Sequence, residues 1–190
     1  MYKRLTLLGA LVATMIVALS GVTAQAQPVK RHAGGYVNPF TNPGWEPART
    51  DMGVDWLVTR PLPVLAIGDA VVVGSDSHDT GWPGGHFIWY RLVDGSHAGD
   101  IIYVAEHLTH LLPAGARVRA GQKIAEALPG GTGTEWGWAE ADGATRANRC
   151  YHEGEQTVSG KEMARFMKTL GAKVYDRPGR GPDAPFGKLC

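Results

Sequence analysis

The sequence predicts an all-β protein, an antiparallel β-sandwich or barrel-sandwich hybrid with one helix near its C-terminus. Short apolar runs recur at nearly even spacing from Pro63 to Ala139, each cut by turn residues. The chain of 190 residues holds 26 glycines and 12 prolines, which supply those breaks. A sustained helical period occurs late, after Ser159. Strands bounded by turns, with few helices between them, build sheets that pack on each other.

The elements follow in order. Residues 64–67 and 70–73 flank Gly68-Asp69, a tight hairpin or bend. Phe87–Leu92 runs to the Asp94-Gly95 turn, and Ile101–Ala105 comes next. Residues 117–120 and 123–128 are separated by Gly121-Gln122, and 135–139 follow the glycine-rich run at 130–133. That run lacks the Lys-Ser/Thr of a phosphate-binding loop and precedes a strand, so it reads as a turn. In the helix, Ser159 and Glu162 form a capping box, Met163, Phe166, Met167 and Leu170 share a face, and Gly171 supplies the stop.

Residues 1–26 read as a cleaved secretory signal. Lys3 and Arg4 precede an apolar run at 5–17, and Ala24-Gln25-Ala26 gives a small-x-small cleavage site before Gln27. Broken by Thr14, Ser20 and Gly21, the run is short for a span of about 20 residues, so no transmembrane anchor is expected in the mature chain. The expected location is periplasmic or extracellular. Residues 27–50 read as an extended lead-in docking near Tyr36, Phe40 and Trp45; 51–145 form the β domain; 146–190 hold the helix and a Pro/Gly tail with Arg177 and Arg180. Losing Lys3 and Arg4, with no acid beside them, takes the formal charge from +1 to −1. A nearly neutral surface gives no basic face for nucleic acid. Cys150 and Cys190 could close one disulfide after export, stay as thiols, or pair with another chain.

Charge inside an apolar segment marks the first candidate site. Asp51-Met52-Gly53-Val54-Asp55-Trp56 puts two carboxylates four residues apart, and on a strand Asp51, Gly53 and Asp55 would share a face opposite Met52, Val54 and Trp56. Such a face is either solvated or gathered around something positive, such as a metal, a proton or a basic group.

Asp51-Met52-Gly53-Val54-Asp55 is followed by Pro63-Val64-Leu65-Ala66 and its Gly-Asp turn, then by Tyr103-Val104-Ala105-Glu106-His107-Leu108. Next come the run at 114–124 with Gly115 and Gln122, and Glu135-Trp136-Gly137-Trp138 behind a glycine-rich loop. In that order these segments resemble the M23 (lysostaphin-like, LytM-like) zinc peptidase domain over residues 51–139. The resemblance implies a β-sandwich with a groove whose members usually cut peptide cross-links of peptidoglycan. It also implies that the catalytic set is not kept. The family's His-x-Gly-x-Asp becomes Asp51, Gly53 and Asp55; its closing His-x-His pair falls on Glu135 and Gly137; a further histidine falls on Glu106 or, one residue on, His107. Asp51 and Asp55 supply hard oxygens and no imidazole, whereas catalytic zinc normally takes three ligands including nitrogen.

The expectation is therefore an exported, catalytically degenerate domain that associates with peptidoglycan or another cell-wall glycan through the former groove. The alternative is an active cell-wall hydrolase, metal-dependent or using Glu106 and Glu135 as a carboxylate pair. Trp82, His86, Trp136 and Trp138 are the candidate substrate contacts, with core packing as the other reading of the tryptophans. Asp51 and Asp55 are the candidate metal ligands; zinc or calcium is conceivable, but neither has a full ligand set. His107 and His110, set among leucines, read as structural.

Overall fold

The computed structural model describes residues 30–78, 82, 84–147 and 151–175. The signal segment, both cysteines and the tail from 176 onward lie outside the described residues. Among the described residues, ten strands form two antiparallel sheets, accompanied by one α-helix. They are β1 (Trp45–Thr50), β2 (Val54–Val58), β3 (Leu62–Leu65), β4 (Ala70–Asp76), β5 (Phe87–Leu92), β6 (Ile101–Ala105), β7 (Leu108–Thr109), β8 (Arg117–Val118), β9 (Lys123–Ala127) and β10 (Thr134–Ala139), followed by α1 (Val158–Thr169). The large sheet runs β1-β2-β10-β6-β5-β4-β8 and the small one β3-β9-β7. The all-β expectation with one helix holds.

Period-two alternation sets the two faces of the large sheet. Val54, Trp56, Ile88, Tyr90, Ile102, Val104, Trp136 and Trp138 belong to the main core, shared with the small sheet and with Met163, Phe166 and Met167 of α1. Phe40 stacks on Trp56 at 3.5 Å between centroids, and Trp136 meets both rings edge-on. The opposite face carries a smaller cluster of Ile101, Tyr103, Ala105 and Ala139, with Trp82, Phe87 and Trp89 against it. Asp55 and Glu135 lie on that second face.

Of the two forms expected at Gly68-Asp69, hairpin or bend, it takes the bend, because β3 and β4 on either side of it enter different sheets. Two local readings differ from the sequence expectation. Part of the segment read as a lead-in is β1, which pairs with β2. The helix is capped by Thr157 instead of Ser159: the Thr157 hydroxyl accepts from the Gly160 N–H at 2.9 Å. Thr157 wins because its N–H and hydroxyl also donate to the buried Asp51 carbonyl, each at 2.9 Å, so one residue caps the helix and fastens it to the sheet. At the other end, left-handed Gly171 (φ 79°) lets its own N–H reach the Lys168 carbonyl and that of Ala172 the Met167 carbonyl.

Candidate functional site

The β1–β2 hairpin closes between Thr50 and Val54, leaving Asp51, Met52 and Gly53 as its loop. Asp51 is therefore in a turn, not on a strand face. Met52, expected on the face of Val54 and Trp56, lines a cleft instead. Gly53 is required there: a Cβ at this position would stand 2.4 Å from the Trp136 carbonyl oxygen.

Pairing slips between Pro47 and Thr50, so Ala48 and Arg49 together oppose Asp55. A bulge of this kind re-aims a side chain. Arg49 Nε lies 2.9 Å from Asp51 Oδ2 and 3.0 Å from Asp55 Oδ2, and its Nη1 lies 2.7 Å from Glu153 Oε1. Asp51 and Asp55 are 0% and 1% exposed, against 29% for the arginine. Burial works against the guanidinium charge, but Asp51, Asp55 and Glu153 more than offset it and hold its pKa above the usual value.

Directly across from Asp55 on β10 stands Glu135, 2% exposed. Burial, and then the Asp55 and Asp51 charges, push Glu135 well above the carboxylate range; burial and Asp51 do the same to Asp55, with Arg49 pulling the other way. Like charges facing each other across a strand pair destabilise it, and a retained proton relieves that repulsion. Tyr103 donates its hydroxyl proton to Glu135 Oε1. Its ring lies over Gly137, where a Cβ would come within 2.3 Å of it. The position that the resemblance assigns to the closing histidine is thus covered by a tyrosine ring.

Two residues from the far end of the chain complete the network. The Tyr151 hydroxyl accepts from the Gly154 N–H at 3.1 Å, lies 3.0 Å from Asp51 Oδ2 and 2.9 Å from Glu153 Oε2, and donates to one of them. Sequence reasoning missed Arg49, Tyr103, Tyr151 and Glu153. For Tyr103 a signal existed, since cross-strand pairing of an aromatic with a glycine is a known way to fill a bare position.

Glu106 follows β6 in the left-handed region (φ 72°), and His107 continues there (φ 50°). An acid in that conformation is strained, and strain of this kind collects at functional sites. Glu106 is 5% exposed and lines the cleft, and its Oε2 has no hydrogen-bond partner among the described residues. Burial holds its pKa above the usual range, against a hydrogen bond to Thr132 that lowers it. His107 turns away, with Nε2 3.1 Å from Thr132 Oγ1 and its ring over Gly130.

The cleft encloses about 680 Å³ and is bordered by Arg49, Trp82, Phe87, Glu106, Glu135 and Tyr151, among others. Trp82 borders the cleft, its ring 5.5 Å from that of Tyr103. The other aromatic candidates do not. Trp136 is fully buried on the core side of β10, because its side chain alternates with that of Glu135 and so faces away from the cleft. Trp138 shares that side and stacks on His97 at 5.1 Å, with the Arg146 guanidinium 5.6 Å from its ring centre. His86 is turned onto the Leu108 carbonyl, 2.6 Å from its Nδ1, and does not border the cleft.

Asp51, Asp55 and Glu135 have ligand oxygens within 4.8 Å of one another. As donors they fit zinc poorly, since all three are carboxylates and a guanidinium already bridges two of them. No protein-family model matches the chain, and no curated protein matches it either.

Proposed function

We propose that this chain is an exported M23-like domain that holds peptidoglycan, or a related cell-wall polymer, in its acidic cleft without cutting it. The observation that carries this reading is the Arg49 guanidinium bridging Asp51 and Asp55, where the resemblance would put a metal ion. A hydrolytic zinc must offer an open position to water, and a side chain cannot supply one. What remains is a cleft with an aromatic wall at Trp82 and Phe87 and a floor of acids, which suits retention of a ligand.

The rival reading, hydrolysis by Glu106 and Glu135, draws on the raised pKa of both groups. Against it, Glu135 is almost wholly buried and engaged by Tyr103, so it has little freedom to act on a substrate.

The test is sedimentation of the mature protein with purified peptidoglycan sacculi, alongside assay of released soluble fragments. Retention that is indifferent to chelator and to added zinc, with no fragments released, supports the proposal. Chelator-sensitive release by protein that carries stoichiometric zinc would overturn it. Release that survives chelator and vanishes in Glu106→Gln would favour the carboxylate mechanism.

A further inference from the structure

The cleft also carries a signal about which chemical group it takes. Four acids border it, Glu106, Glu135, Asp142 and Glu153, and among the described residues Arg49 is the one cation that does so. Arg49 is already engaged by three carboxylates, those of Asp51, Asp55 and Glu153. Glu135 is satisfied by Tyr103. Glu106 differs from both. It is more than nine-tenths buried, it borders the cleft, and Oε2 has no partner among the described residues.

A buried carboxylate oxygen without a donor is costly, and a left-handed backbone at a non-glycine residue adds to that cost. Both costs are offset when a ligand brings donors to that atom. The same cleft is lined by Trp82, Phe87 and Tyr151, whose ring faces attract positive charge. An uncharged sugar hydroxyl could meet the oxygen but would gain nothing from the surplus of acids. A carboxylate or phosphate would be repelled by them.

We infer that Glu106 and the aromatic wall around it form a subsite for a primary ammonium group borne by the ligand. This rests on reading the cleft as a binding site and names the group it recognises. The ammonium donates to Glu106 Oε2, with Trp82 and Phe87 enclosing the carbon that carries it. Two sources share that chemistry, the free amino terminus of a peptide and an amino group on a side chain.

Three probes separate the possibilities in titration calorimetry at low salt: triglycine amide, Nα-acetyl-lysine methylamide, and N-acetyl-triglycine amide as the uncharged control. The expected result is measurable binding by at least one of the first two and none by the third. The better of the two identifies the source. In Glu106→Gln, which keeps the shape and removes the charge, affinity for that probe drops about tenfold or more, because a hydrogen bond between charged partners is lost. Trp82→Ala weakens the same probe independently, and a melting curve of each variant shows that it is folded.

Equal binding of the acetylated control, unchanged affinity in folded Glu106→Gln, or no binding by either amine would overturn the inference. Sacculi separate this outcome from the wider reading. Retention of sacculi without binding of amine probes sinks the ammonium subsite and leaves the cell-wall reading standing. Amine binding without retention of sacculi does the reverse. Where both hold, acetylating the amines of the sacculi abolishes retention.

Discussion

Replacing Arg49 by methionine keeps most of the aliphatic stem and removes the guanidinium, which tests its role as the cation of the cluster. Breaking a buried ion pair by deleting one partner costs about 3–5 kcal/mol. Arg49 is 29% exposed, so solvent already screens part of that interaction. Protonation limits the rest. Asp55, whose pKa is already raised by burial and by Asp51, takes up a proton more readily once the cation is gone. The net cost at neutral pH is about 2–3 kcal/mol, allowing for that relief. For a domain of this size it lowers the melting temperature by about 4–12 °C.

The same variant gains something the parent lacks. Asp51, Asp55 and Glu135, with oxygens within 4.8 Å of one another, become a hard-oxygen site open to a divalent cation. Calcium at about a hundredfold over its dissociation constant would return about 2.7 kcal/mol, most of the deficit. Thermal melts of parent and variant at pH 5 and pH 7, with and without calcium or manganese, check this. The deficit should be smaller at pH 5 and should shrink with cation in the variant alone. A parent stabilised by the cation as much as the variant would refute the argument, and so would a variant that neither loses stability nor responds.

Three further outcomes follow from the same network. The folded pKa values of Glu135, Asp55 and Glu106 are raised by burial, so the folded chain holds protons that the unfolded chain has released. Their stabilising contribution is complete below the ordinary carboxylate range and is lost as pH rises through the raised values, so the melting temperature should fall from pH 5 to pH 8. Glu135→Gln, which keeps an acceptor for Tyr103, should flatten that fall by up to about 1.4 kcal/mol per pH unit; an unchanged slope counts against a proton on Glu135. Gly160→Ala would ordinarily favour a helix by about 1 kcal/mol. Here the new Cβ would sit 2.1 Å from the Asp51 carbonyl oxygen, so a loss of about 1–3 kcal/mol is expected, read as a lower urea midpoint. Glu106→Gly should stabilise the fold by about 1 kcal/mol by releasing a left-handed side chain, while abolishing amine binding; a lower melting temperature would show that Glu106 is there for the fold.

Much of the fold was legible because it is local. Strands β5 and β6 fall at the residues where apolar alternation and flanking turns put them. The helix was legible in its apolar face, yet its cap was misread, since Ser159 and Glu162 imitate a capping box while Thr157 makes the bond. Alternation also held an unused correction: on β10, Glu135 and Trp136 are neighbours in sequence and cannot both face the cleft. The partners of the acids were not legible for a physical reason. Tyr151 reaches Asp51 across 100 positions of chain, and Arg49 reaches Asp55 through a bulge that shifts its register by one residue. No periodicity in the sequence encodes either contact.

The partners of the acids also come from outside the span that carries the resemblance. Within residues 51–139 lie four acids that burial and mutual repulsion would drive apart or protonate, and inside that span they are answered by the Tyr103 hydroxyl at Glu135, the Met52 N–H at Asp51 and Thr132 at Glu106, none of them a cation. Arg49 comes from just before that span, and Tyr151, Glu153 and Thr157 come from beyond it. Strand β1 delivers the cation at the sheet edge; the segment before α1 delivers a hydroxyl and a third carboxylate that holds the cation in place. Thr157 then fixes the Asp51 backbone to the start of α1, where Gly160 leaves room for the Asp51 carbonyl to approach. On this argument β1 and α1 are parts of the site rather than appendages to a β domain. Removing either would leave the acids uncompensated, so a chain cut back to residues 51–145 should fail to keep them buried.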